Sequence, residues 1–85
     1  MSNITELHQT ADMMSSDDYK ERFRAEYYQL KIRYDKLQEM LSKWDSSQLD
    51  FTPVSPRSTY NMQSKAMADY LAALKARSVM EGVDL

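Results

Sequence analysis

FRAEYYQLKIRYDKLQEMLSKW, Phe23 to Trp44, is the stretch whose reading decides the fold. Within it Phe23, Tyr27, Leu30, Tyr34, Leu37, Leu41 and Trp44 recur at alternating spacings of four and three. That repeat places all seven side chains on one stripe of one helix. A second run, Tyr60, Ser64, Met67, Leu71 and Leu74, follows after a short break. Two long amphipathic helices joined by a loop predict an all-α antiparallel hairpin. A hairpin of this size encloses little interior. Its chemistry is therefore expected between subunits of an oligomeric helical bundle rather than inside one chain.

Start and stop signals divide the 85 residues into one domain, 1–85, with four parts. Residues 3–14 predict a short N-terminal helix, with Asn3 and Glu6 at capping-box spacing. Ile4, Leu7 and Ala11 share a face there, and Met14 comes next along it. So short a helix is not stable alone and is expected to dock on something. Ser15, Ser16, Asp17 and Asp18 offer oxygens to free backbone N–H groups and suit the positive end of a helix dipole. The first long helix is expected over 17–44, about 40 Å at 1.5 Å per residue. The loop is 45–55, where Leu49, Phe51 and Val54 are expected to fold back over the hairpin end. Ser55 suits an N-cap and Pro56 a first helical position, so the second long helix is expected over 56–81, ending at Gly82.

Composition narrows the function classes. Charged residues make up 28% and the net charge is only −2, which gives no case for binding polymeric nucleic acid. There is no Cys and a single His, His8, so thiolate metal sites, His-rich metal sites and His-based triads are excluded. Gly82 is the only Gly, which leaves no Gly-rich phosphate loop. Asp17 with Asp18 is explained by capping, and no catalytic set remains. No enzyme, no metal and no cofactor is expected. No apolar run is long enough to span a bilayer and the polar N-terminus does not read as a signal peptide, so neither a membrane partner nor a leader is expected. Six Tyr, two Phe, one Trp and seven Met are a large apolar load for so little interior, and point to self-association.

Two clusters carry binding chemistry. Ser55-Pro56-Arg57-Ser58 opens the second helix, where backbone N–H groups favour anions. Arg57 adds a fork for phosphate, Ser58 a hydroxyl, and Tyr60 a ring one turn on. A plain helix cap with a solvated Arg57 accounts for the same residues. The other cluster is Tyr19, Lys20, Arg22 and Arg24, with Tyr27 and Tyr28 following. Interleaved cations and rings hold nucleotides by charge and stacking. Solvated charges balanced by Asp17, Asp18, Glu21 and Glu26, with Arg22 and Glu26 at helix-pair spacing, are the alternative. The hairpin puts these clusters at opposite ends, so they share a ligand only if neighbouring chains join them. Apolar residues also remain outside the seam: Ala25, Tyr28 and Ile32 on the first helix, and Ala66, Tyr70, Ala73 and Met80 on the second. They are read as oligomer contacts. Cover by the N-terminal helix and the loop is the alternative.

Thr52-Pro53-Val54-Ser55-Pro56-Arg57-Ser58, then Gln63, Ala66-Met67, Ala76 and Glu81-Gly82, resembles the C-terminal half of a phage hairpin family that includes the anti-CBASS type 2 and Thoeris anti-defence type 1 proteins. Glu26-Tyr27-Tyr28-Gln29-Leu30 and Arg33-Tyr34-Asp35-Lys36-Leu37 are similar to small phage proteins of the same group. The resemblance implies a sponge, which binds cyclic nucleotide immune signals and holds them from their effectors without cleaving them. It implies a homo-oligomer, commonly a hexamer, with pockets between subunits, acting in the cytoplasm of the infected bacterial host. Cyclic dinucleotides, cyclic trinucleotides and cyclic ADP-ribose isomers are the implied ligand classes. It carries Arg57 and Ser58 over as ligand contacts, with Lys20 and Tyr19 as the nearest equivalents of a first-helix pair. Tyr60 and Arg24 complete the candidate set. The alternative function is a helical hairpin that binds another protein, as an inhibitor or adaptor, with no small-molecule ligand.

Overall fold

The computed structural model describes residues 4–85. The protein is all-α: a short N-terminal helical segment precedes a long hairpin of α1, Tyr19–Asp45, and α2, Arg57–Glu81. Contacts between the two helices run in opposite chain order. Tyr19 meets Glu81, Gln38 meets Ser64 at 2.6 Å, and Asp45 meets Arg57. The hairpin is therefore antiparallel, and it sets the long axis of the molecule at 43 Å. Among the described residues no helix is long and apolar enough to cross a membrane.

The seam follows the heptad positions. Phe23, Tyr27, Leu41 and Leu74 are buried, and Leu30, Tyr34, Leu37, Trp44, Tyr60, Ser64, Met67 and Leu71 are partly so. The tightest cluster joins Phe23, Tyr27 and Leu74 to Val83, with Tyr28, Leu30, Leu71 and Leu85 packed around it. The core thus sits at the terminal end of the hairpin. Leu74, 1% exposed, is its most enclosed apolar side chain. Burial of such a side chain contributes about 1.5–3 kcal/mol.

Both helices end in the same motif. At the end of α1 the Gln48 N–H donates to Lys43 O at 2.8 Å and the Ser47 N–H to Trp44 O at 3.1 Å. Ser47 takes the left-handed conformation this turn requires, with φ 59°. At the end of α2 the Val83 N–H donates to Ser78 O at 2.9 Å, and Gly82 is left-handed with φ 67°. This is the Schellman closure, in which the following apolar residue packs back on the last turn. Val83, 5% exposed, packs into the cluster of Phe23, Tyr27 and Leu74.

Several local expectations shift. The segment expected as one helix over 3–14 is two 3-10 turns, Leu7–Thr10 and Met13–Ser15. Asn3 lies outside the described residues, and the capping box is instead made by Glu6 and Gln9. A piece this short gains too few backbone bonds to propagate an α-helix, and 3-10 closure satisfies it locally. The first long helix begins at Tyr19 because Asp18 is its cap, accepting from the Lys20 N–H at 3.0 Å. Ser55 does not cap α2. Pro56 is the half-in residue, with ψ 154°, and Arg57 is the first helical position. Arg22 does not pair with Glu26. It donates to Ser16 O at 2.6 Å, while Glu26 accepts from the Tyr70 hydroxyl.

The faces outside the seam divide in two. On α1, Ala25 and Ile32 are buried. The N-terminal turns pack against this helix, and Gln29 Nε2 reaches Met14 Sδ at 3.0 Å. On α2 nothing covers the outer face among the described residues: Met62, Ala66, Tyr70, Ala72, Ala73, Ala76, Val79 and Met80 are all exposed. The loop does not fold back as expected either. Leu49 is partly buried, but Phe51 is 55% and Val54 100% exposed.

Candidate functional site

The turn that ends α1 and the break before α2 bring Asp45, the last residue of one helix, against Arg57, the first of the other. Arg57 Nη1 and Nη2 both donate to the Asp45 carboxylate, the second at 3.2 Å, in a two-pronged pair. Arg57 Nε donates to Asn61 Oδ1 at 3.0 Å, one helical turn on. The guanidinium also lies 5.4 Å from the centre of the Trp44 ring, which packs edge-on against Tyr60 at 5.8 Å. Hydrogen bonds from Arg57 hold the Asp45 carboxyl below its ordinary value, and the same bonds raise the guanidinium.

Beside this constellation runs an open groove of about 460 Å³, lined by Leu41, Ser42, Asp45, Arg57, Asn61 and Ser64 among others. Its size falls in the range of small-molecule sites, about 300–1,000 Å³, but such sites bury most of their ligand. One face of one hairpin does not. Ser58 is exposed on the first turn of α2, and Tyr60 is partly buried against Trp44.

The other candidates lie at the far end and hold the chain itself. The Tyr19 hydroxyl donates to Glu81 Oε1 at 3.0 Å, Lys20 Nζ to Gly82 O at 3.2 Å, and Arg24 Nε to Asp84 O at 2.7 Å. Free carbonyls at a helix C-terminus attract such donors. Desolvation, then the hydrogen bond to Glu81, raises the Tyr19 phenol above its ordinary value. Arg77, at 2.7 Å from Glu81 and over the Phe23 ring at 4.8 Å, is the main cause holding the Glu81 carboxyl low. The structure brings Arg57, Ser58 and Tyr60 together at one end and Tyr19, Lys20 and Arg24 at the other, and does not join the two sets within a chain.

Trp44, Asp45 and Asn61 escaped the sequence reading of this site. Spacing alone puts Trp44 in the seam and Asp45 in the loop. Two signals could have found them. Arg57 and Asn61 have helix-pair spacing, and any antiparallel hairpin sets the end of its first helix beside the start of its second.

A family model described as Sequestin matches residues 17–80, which takes in α1, the loop and nearly all of α2. No curated protein and no solved structure matches the chain.

Proposed function

Because the chain belongs to the Sequestin family, we propose that it captures a small-molecule ligand by stoichiometric binding, and that the ligand is a cyclic nucleotide immune signal. The family match carries the reading. Arg57 supports the ligand class: a guanidinium fork at the start of a 25-residue helix, beside backbone N–H groups and two aromatic rings, suits a phosphodiester. Ser58 adds a hydroxyl donor to the same turn. Tyr60 and Trp44 offer the aromatic surface.

Self-assembly completes the site in this reading. Thr59, Met62, Ala66, Asp69, Ala73, Ala76 and Met80 form an unbroken three-four stripe along the exposed face of α2. The alanines let a second helix approach closely, as a two-sided pocket requires. A partner copy supplies the second wall of the Arg57 groove, with Lys20 and Arg24 of a neighbour as its cations and Tyr19 as its ring; a hexamer is one closed form. The protein then works in the cytoplasm of an infected bacterial host, lowering the free signal without cleaving it.

Titration calorimetry tests this with cyclic di-adenylate, cyclic di-guanylate, cyclic tri-adenylate and the cyclic ADP-ribose isomers. At least one should bind in fixed stoichiometry, and Arg57→Ala should lose that binding while keeping the helical circular dichroism. No heat of binding across the panel sinks the proposal. Exposed Phe51, Val54 and Met62 favour a second reading, a hairpin that docks on another protein. A stable monomer by light scattering, together with an empty ligand panel, supports it instead.

A further inference from the structure

We infer that Asp45 is a resident anion on the Arg57 fork, and that a ligand phosphate enters by exchanging with it. The inference rests on the sequestration reading, because it requires Arg57 to meet phosphate. The two members of the pair are not held alike. Arg57 is the fixed one: its side chain is 32% exposed, its guanidinium carbon lies 5.4 Å from the centre of the Trp44 ring, and its Nε is tied to Asn61. Asp45 is the loose one: its side chain is 65% exposed, and in both hydrogen bonds that join it to Arg57 its carboxylate oxygens are the acceptors. Removing Asp45 therefore leaves the guanidinium aimed, while removing Arg57 leaves Asp45 to turn into water.

The occupied edge is the one a phosphate needs. The Nη1 and Nη2 groups of arginine present two parallel N–H bonds, and a carboxylate and a phosphate oxygen pair fit that edge in the same way. Two anions on one edge repel each other, so the second arrives as the first leaves. The exchange swaps one negative charge for another and leaves the charge on Arg57 compensated throughout. An uncharged nucleoside has nothing to trade for the carboxylate. Asp45 thus raises the threshold for capture and discriminates against ligands without an anionic group. The groove of about 460 Å³ that both residues line gives the incoming group its route.

The test is calorimetry with the panel member that wild type binds most tightly. Asp45→Asn and Asp45→Ala should each bind it more tightly, by roughly two- to fivefold, the scale of losing an exposed competing ion pair. A merely structural clasp would not tighten binding when it is broken, so the gain in affinity separates the two roles. Unchanged or weaker binding in both Asp45 variants, with wild-type circular dichroism, overturns the inference and leaves sequestration standing. Loss of helical signal in both makes Asp45 a structural clasp and also overturns it. Failure of wild type to bind any panel member overturns sequestration itself.

Discussion

Gly82 and Ser47 occupy equivalent turns with opposite chemistry, so exchanging their residue types should move stability in opposite directions. Gly82 sits at φ 67°, and a Cβ built there meets nothing within 4 Å. Gly82→Ala therefore adds no clash, and its whole cost is conformational. A left-handed non-glycine residue costs about 1–2 kcal/mol. Loss of glycine's freedom in the unfolded chain returns about 0.4–1 kcal/mol. The net is a destabilisation of about 1 kcal/mol. Ser47 at φ 59° already bears the left-handed strain. Ser47→Gly relieves it and should stabilise by about 0.5–1 kcal/mol on the same terms. For a domain of this length each kcal/mol moves Tm by about 4–8 °C. Thermal melts followed at 222 nm, at one fixed protomer concentration, read both shifts. The reasoning is refuted if Gly82→Ala melts no lower than wild type, or if Ser47→Gly melts lower.

Further predictions follow from packing, the outer face and the carboxylates. Leu74→Ala should cost about 2–5 kcal/mol, because the side chain is 1% exposed among Phe23, Tyr27 and Val83; denaturant unfolding measures it. Ala73→Glu should leave the fold within about 0.5 kcal/mol of wild type, since Ala73 is exposed in the single chain. The same change should break assembly by placing an unpaired charge in a helix seam, and light scattering should show the oligomer reduced to smaller species. The Asp45 and Glu81 carboxyls are both held low in the folded protein, by Arg57 and Arg77 respectively. A depressed folded value means that their stabilisation is fully present above the ordinary carboxylate range and is lost as pH falls through the lowered values. Melting temperature should therefore drop on the acid side, and the combined Asp45→Asn and Glu81→Gln change should flatten that drop.

The hairpin was legible because its signal is long and redundant. Seven seam residues from Phe23 to Trp44 all register on one stripe, and no local preference of a single residue can outweigh them. Gly82 was legible for the same reason at a smaller scale, since a left-handed stop selects glycine strongly. Ser55 misled because Pro56 suits the position before a helix as well as its first turn, and caps shift by a residue without changing the helix. The N-terminal segment misled because a few apolar positions define a face but not a helix type. At the site, Arg57 and Tyr60 were readable from residue type and position, while Asp45 became visible only through pairing across the loop. Tyr19, Lys20 and Arg24 carried the right chemistry for a nucleotide, yet within one chain their donors meet the carbonyls and carboxylate that close α2. Sequence spacing does not reveal that competition, because the partners lie some sixty residues away.

Capture without conversion is the central claim, and one measurement tests it most directly. The purified protein is incubated with the cyclic nucleotide panel, freed of unbound ligand, then heat-denatured, and the released small molecules are identified by mass spectrometry. The account predicts one cyclic nucleotide recovered chemically intact, in fixed ratio to the protein, and absent from the Arg57→Ala preparation. Recovery of nothing, of a cleaved product, or of equal amounts from Arg57→Ala contradicts it.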